Sequence, residues 1–480
     1  MPEIRRALPG PWQAKQLSEG IDRMLRLNSI VNPLATRAGR VDRAIPWRPL
    51  RRSGVTLQRH PWYNYLCFEW PPQAENQNAE VPVEHRAQHE LLARRQFLQA
   101  GLAAAVIGET GLLAADTYDT VIQGGRVIDG AQKINKVADV AIKDGKIAAI
   151  NANIPASSAM QVLNAKGKIV SPGLIDVHTH LINLGMTPAM ALSDGVTSMV
   201  DGGSVGAANL DSLQKLIANA PNRVRVLLHI ASKGNAGGEA LELGNLDADA
   251  CRRVVEANPN LITGVKVRVG KAIAGPNELE ALRLAVKAAG KLPVVVHVGD
   301  STATMPSMLA ILRPGDVVTH MYAPTPNGLF DANNKILPEV RDARKKGILF
   351  DIGHGQLMHI TWDVAQRALD QGFPPDTIST DLNQLTRVAQ VFSLPTTMSK
   401  FLLLGMKIED ILACVTTSAA KSLPLLRPYG TLKTGAPADV TVLEVQEGSF
   451  EYVDNLKAPR TGTKKIVATA TFVGGKKLQG

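Results

Sequence analysis

Cysteine is scarce: 480 residues hold three, Cys67, Cys251 and Cys414. That number and their scatter exclude a disulfide framework and a thiolate metal knot. Long apolar runs are also missing. The most apolar part of the leader, in "ARRQFLQAGLAAAVIGETGLLAAD", is too short and too interrupted by Glu109 to read as a transmembrane helix. No Lys/Arg tract stands out either. The net charge is +10, but residues 1–115 carry 15 Lys+Arg against 10 Asp+Glu, half of the excess. The rest is only mildly basic and has no patch for phosphates, which speaks against a nucleic-acid partner. What remains is an ordinary soluble balance, 45% hydrophobic and 20% charged, on a chain long enough for about three average domains or one large barrel with attachments.

Composition changes near residue 116. The first 115 residues hold four of the five tryptophans, and their basic residues are fourteen arginines and one lysine. Arg94-Arg95, Phe97-Leu98, a weakly apolar Ala/Gly/Leu run and then Ala114-Ala115 have the layout of a twin-arginine export signal over 91–115. A disordered basic arm is the alternative. Used as a signal, this segment predicts a mature chain starting near Asp116 and working in the periplasm or outside the cell; unused, a cytoplasmic one. Residues 1–90, rich in Pro, Arg and Trp without a period, read as a poorly ordered extension or as an early start codon.

From residue 119 the chain runs in short alternating strands with Gly-containing turns, "DTVIQGGRVIDG", "ADVAIKDGKIAAI" and "MQVLNAKGKIVSPG". The C-terminal end returns to that style in "GTLKTGAPADVTVLEV" and "KIVATATFVGGKKL". Between them, over 171–425, strands alternate with helices. The strands are "GLIDVHTHL", "VTSMVDGGS", "VRVLLHIAS", "ITGVKVRVG", "PVVVHVGD", "DVVTHMYA", "ILFDIGHG" and "TISTDLN". Eight β-then-α units in about 255 residues predict an α/β fold, a TIM-type (β/α)8 barrel. The flanking segments, 116–170 and 426–480, predict a small β-sandwich beside it. A doubly wound parallel sheet is the alternative.

Reactive groups of such a barrel collect at the C-terminal ends of its strands. There the first strand offers His178 and His180, the fourth Lys266, the fifth His297, the sixth His320 and the eighth Asp381. A lone strand histidine is usually a core residue, but six metal-binding groups at corresponding positions are hard to obtain by chance. Lys266 lies inside a buried strand, where burial and neighbouring cations depress an amine's pKa and leave it able to react with CO2. The resulting carbamate is an anion with two oxygens, suited to bridging two cations. Arg268, two residues on, faces the mouth, where its planar fork can grip a substrate carboxylate or form a structural ion pair at the rim. His354 in "DIGHGQ" and Tyr322 are further candidates for substrate contact. His229 and Asp201 read as structural.

From about 119 to 478 the chain resembles the amidohydrolase superfamily, in particular the amidohydrolase/deacetylase branch related to dihydroorotases. The resemblance rests on "GLIDVHTHL", Lys266 in "GVKVRV", His297 in "VVVHVGD", His320 in "VVTHMY" and Asp381 in "STDLN". "VADVAIKDGKIAAI" and "GTLKTGAPADVTVL" look like its opening and closing sandwich strands. It implies two divalent metals, by default zinc, with manganese or another divalent ion as alternatives. His178, His180 and Asp381 would hold the more buried ion and His297 and His320 the second. Carboxylated Lys266 and a hydroxide would bridge them, the hydroxide as nucleophile and Asp381 as general base and then acid. The implied activity is hydrolysis of a small-molecule amide or ester, deacetylase-like, with no stable membrane anchor and with room for a homo-oligomer. A cyclic amidohydrolase, like a dihydroorotase or dihydropyrimidinase, keeps the same site. A metal-free barrel scaffold predicts lost ligands, and none of the six is lost. Cys251, placed on a helix, does not fit the D-aminoacylase arrangement, and the retained lysine argues against the superfamily's single-metal deaminases.

Overall fold

The computed structural model describes residues 117–182, 186–356 and 358–480. The readings of 1–90 as an extension and of 91–115 as an export signal lie outside the described residues.

The first strands are β1 (Tyr118–Asp129), β2 (Ile134–Lys143), β3 (Lys146–Asn151), β4 (Ala159–Asn164) and β5 (Ile169–Pro172). Asp144-Gly145 joins β2 to β3 with both residues at positive φ, +52° and +72°, the conformation a tight hairpin turn demands. The barrel strands are β6 (Leu174–Thr179), β7 (Val196–Asp201), β8 (Arg223–His229), β9 (Ile262–Arg268), β10 (Val294–His297), β11 (Val317–Thr319) and β12 (Leu349–Asp351). The chain ends in β13 (Val440–Val453), β14 (Pro459–Val473) and β15 (Lys476–Gln479).

Two sheets result. One has eight strands in the order β15-β14-β13-β5-β1-β2-β3, with β4 also on β1. It thus joins both ends of the described chain around the barrel. The first half of β1 pairs with β4 and the second with β5, and its register on β2 shifts between Ile122 and Gly125. The other sheet is parallel, β6 through β12 in sequence order. Its eighth member, foreseen over 377–383, is not a regular strand, yet it closes the ring. Ile352, His354 and Gly355 donate to the carbonyls of Thr377, Ser379 and Thr380, while Asp381 N donates to His178 O at 2.7 Å and His180 N to Leu382 O at 2.9 Å. Single bridges pair Asp351 with Thr377 and Thr179 with Leu382.

Burial explains the order. Every residue of β6, β7 and β10 is buried, the pattern of strands covered on both faces. Val265 and Val267 of β9 share one apolar core with Ala281, Leu282 and Ala285 of helix 278–289. A second apolar group packs Ile175, Val177, Val200 and Val295 against Ala419, Ala420 and Leu423 of the segment after the barrel. Among the described residues no helix is long and apolar enough to cross a membrane.

Candidate metal centre

The parallel register sets reactive side chains at one level. Lys266 pairs with His229 on β8, and His297 pairs with Arg268 on one side and Thr319 on the other. Beyond the strand ends, His320 and Asp381 adopt left-handed backbone, φ +67° and +50°, which only a few per cent of non-glycine residues do. Such strain persists where the surroundings over-determine it and clusters at functional sites.

His178, His180, Lys266, His297, His320 and Asp381 are all buried. Asp381 Oδ1 lies 3.0 Å from His180 Nε2 and 3.5 Å from His178 Nε2. The ligand atoms of His178, His320 and Asp381 fall within 4.8 Å of one another. Burial alone would raise the Asp381 carboxyl, but His178, His180 and His359 outweigh it and hold it well below the usual range. Burial, with charge from neighbouring histidines, holds His297 and His320 well below the histidine range. His178 falls to about 4, through burial and then the Lys266 charge. The centre thus sets a carboxylate against His178, His297 and His320, whose imidazoles burial drives toward the neutral form with its free lone pair.

The hydrogen bonds fix which nitrogens face inward. Thr319 donates its single hydroxyl proton to Asp351 Oδ2 at 2.7 Å, so at 3.1 Å it accepts from His178 Nδ1. His178 Nε2 is left as a lone pair. His320 Nδ1 faces the Gly353 carbonyl at 2.6 Å and must donate, which leaves its Nε2 buried with no hydrogen-bond partner. Polar orienting partners of this kind are what hold metal-ligating histidines. Asp351 also accepts from Thr377 at 2.6 Å and Ser379 at 2.7 Å, and Asp176 accepts from Thr380 Oγ1 at 2.6 Å. Both carboxylates tie strand ends to the closing segment.

Lys266 points into this group. Its Nζ lies 2.9 Å from His178 Nε2, its one hydrogen-bond contact among the described residues. Burial pushes the amine down to about 8, against the opposing charge of Asp381. Gly203, at φ +94°, lies so close that a Cβ there would come within 2.7 Å of Lys266 Cβ.

The structure adds His359, which the strand-by-strand reading passed over. It sits in the loop after β12, five residues beyond His354, and its imidazole stacks on His320 with centroids 3.7 Å apart. The signal was available: loops following barrel strands build the active face, and this one contains a second histidine.

Other candidates lie elsewhere. Arg268 takes both oxygens of the buried Glu239 carboxylate, Nε to Oε1 at 2.6 Å and Nη2 to Oε2 at 2.8 Å. His354 is fully buried, its Nδ1 facing Gly355 O at 3.1 Å and its Nε2 facing Lys400 Nζ at 2.7 Å. Tyr322 donates to Phe373 O at 2.9 Å and packs near Phe401, so the structure does not bring its hydroxyl into the centre. Asp201 accepts from the backbone of Leu181, Gly203 and Ser204, a structural role. His229 accepts from Ala231 N at 3.0 Å. Cys251 is buried on helix 248–257.

This arrangement has known relatives. The amidohydrolase family profile matches residues 169–478. The chain belongs to the amidohydrolase family. With it, this protein is a hydrolase acting on C–N bonds. A deacetylase of Enterococcus faecalis is 30% identical over 369 residues, 75% of this chain and 98% of that protein. A solved structure titled as an adenine deaminase superposes with a TM-score of 0.70 at 30% identity, covering 76% of this chain and 100% of the other. One titled as a dihydroorotase gives 0.68 at 28% identity, covering 75% and 97%.

Proposed function

We propose that this protein is a binuclear metal hydrolase that removes an acyl group, such as acetyl, from a small-molecule amide or ester. The observation that carries the reading is the convergence of Lys266, His178, His180, His297, His320 and Asp381, with inward lone pairs on His178 and His320. The donor set suits divalent ions, zinc first. His178, His180 and Asp381 would hold one ion and His297 and His320 the other. Lys266 would bridge them once its amine adds to CO2, forming the N–C bond of a carbamate and releasing one proton. When bound, such a pair supplies Lewis acidity and a deprotonated water at neutral pH.

The rest is the work of this chain. Asp381, a carboxylate by virtue of its histidine neighbours, would take the remaining proton of the attacking hydroxide as the C–O bond forms and return it to the departing alcohol or amine as the acyl bond breaks. Arg268 retains Nη1 beside its paired Nε and Nη2, and we assign it to a carboxylate on the substrate. The similarity to a deacetylase over most of both chains supports acyl transfer to water, and the likeness to a structure titled dihydroorotase supports a second reading, opening of a cyclic amide. The twin-arginine-like segment supports export, tested by locating the protein with Arg94 and Arg95 replaced by lysine.

The deciding experiment offers the full chain a panel of acetyl amides, acetyl esters and cyclic ureides. Chelator-sensitive release of acetate supports the proposal. Ring opening without deacetylation moves the function to the second reading, and no turnover after metal reconstitution refutes both.

A further inference from the structure

His359 is not carried by a barrel strand, yet the structure gives it a built position. Its ligand atom lies within 4.8 Å of those of His297 and His320, a group of three converging imidazoles. Its ring stacks on His320 at 3.7 Å and meets His297 edge-on at 5.1 Å. Its Nδ1 is buried and lies 3.3 Å from Asp381 Oδ2 without hydrogen-bond geometry. Crowding imidazoles out of water, with nitrogens left unpaired, is unfavourable unless something charged receives their lone pairs.

Two side chains from other elements, Asn455 and Lys400, hold the loop that carries it. Asn455, in the turn between β13 and β14, accepts from the backbone of His359 at 2.8 Å and of Ile360 at 3.0 Å, and donates to Gly355 O at 3.1 Å. Lys400, buried on helix 394–403, reaches His354 Nε2, Gln390 O and Val453 O, all within 2.8 Å. Gly355, at φ +44°, lets the loop backbone approach the site: a Cβ there would fall 2.4 Å from His359 Nδ1 and 2.2 Å from Asp381 Oδ2. The β13–β14 hairpin of the eight-stranded sheet thus holds one imidazole over the mouth of the barrel.

Resting on the binuclear reading above, we infer that His359 is a third imidazole ligand of the outer metal, beside His297 and His320. The outer site then depends on the loop after β12 and on its clamp by Asn455, whereas the inner site is built from β6 and the closing segment, with Lys266 of β9 shared between the two.

The test uses the full chain loaded with cobalt. Stoichiometry, affinity by chelator competition and the visible spectrum are compared between wild type and His359→Asn and His359→Ala. Cadmium NMR of the wild type with labelled histidine looks for coupling from cadmium to the His359 ring. The expected result is two cobalt equivalents in the wild type. The variants should retain the inner ion and bind the outer one at least about tenfold more weakly, with a changed spectrum. Unchanged outer affinity and spectrum overturn the inference and leave the binuclear reading intact. A wild type that holds fewer than two ions overturns both. Should the variants fail to fold, presence or absence of the cadmium coupling decides the inference.

Discussion

Thr319 Oγ1 lies 3.1 Å from His178 Nδ1 and donates onward to Asp351 at 2.7 Å, so a hydroxyl on β11 orients the first histidine of β6 across the barrel. Thr319→Val keeps the shape and removes the relay. It leaves His178 Nδ1 without its hydroxyl partner and Asp351 with one donor fewer, a cost of about 1–3 kcal/mol. Metal affinity should fall roughly 10- to 100-fold. Chemical denaturation and chelator competition measure the two; an affinity equal to wild type would show that His178 needs no orienting partner.

Asp381→Asn removes the proton acceptor while keeping the side chain's shape. The expected loss is roughly a hundred- to ten-thousand-fold in kcat with metal in excess, and a smaller change in KM. Steady-state kinetics at saturating metal decides it. A KM effect alone would assign Asp381 to binding rather than proton transfer.

Arg268→Lys keeps a cation for the buried Glu239 but loses the planar fork. For an acyl substrate bearing a carboxylate, KM should rise about tenfold, whereas a neutral acetyl ester should be unaffected. Equal behaviour of the two substrates would make the Arg268–Glu239 pair purely structural.

Lys400 has its amine pushed down to about 7 from 10.5 by burial, against the Asp454 charge. Between those values the unfolded chain holds a proton that the folded chain has shed, so stability rises with pH across that window. Below about 7 both states are protonated and the cost of burying the charge is present in full. Melting temperatures of wild type should therefore climb from pH 7 to 10 relative to Lys400→Met. Parallel curves would show that this amine is not the titrating group.

Much of this was legible because strand and helix repeat on fixed periods. Continuous apolar strands such as "PVVVH" and the Asp144-Gly145 turn announce themselves. The six converging groups were legible too, since corresponding strand ends meet in a barrel. The closing segment was harder: 377–382 meets both neighbours through irregular bonds, and its sequence cannot show that Asp381 turns left-handed. The clamp of Asn455 on the His359 loop was illegible for a different reason. The two residues meet through a loop and a hairpin turn 96 residues apart in sequence, and no local pattern records such a contact. Tyr322 lies three residues past the end of β11, where its hydroxyl turns to the Phe373 carbonyl, a direction that its sequence position does not record.

The central claim is that a buried lysine 2.9 Å from His178 serves a pair of metals as an anion. Metal content of the full chain after bicarbonate and zinc reconstitution tests it most directly, with Lys266→Ala alongside. About two divalent ions per chain, falling to one or none in the variant and partly restored by a small carboxylate such as formate, is the predicted result. One ion per chain, indifferent to Lys266, would contradict it.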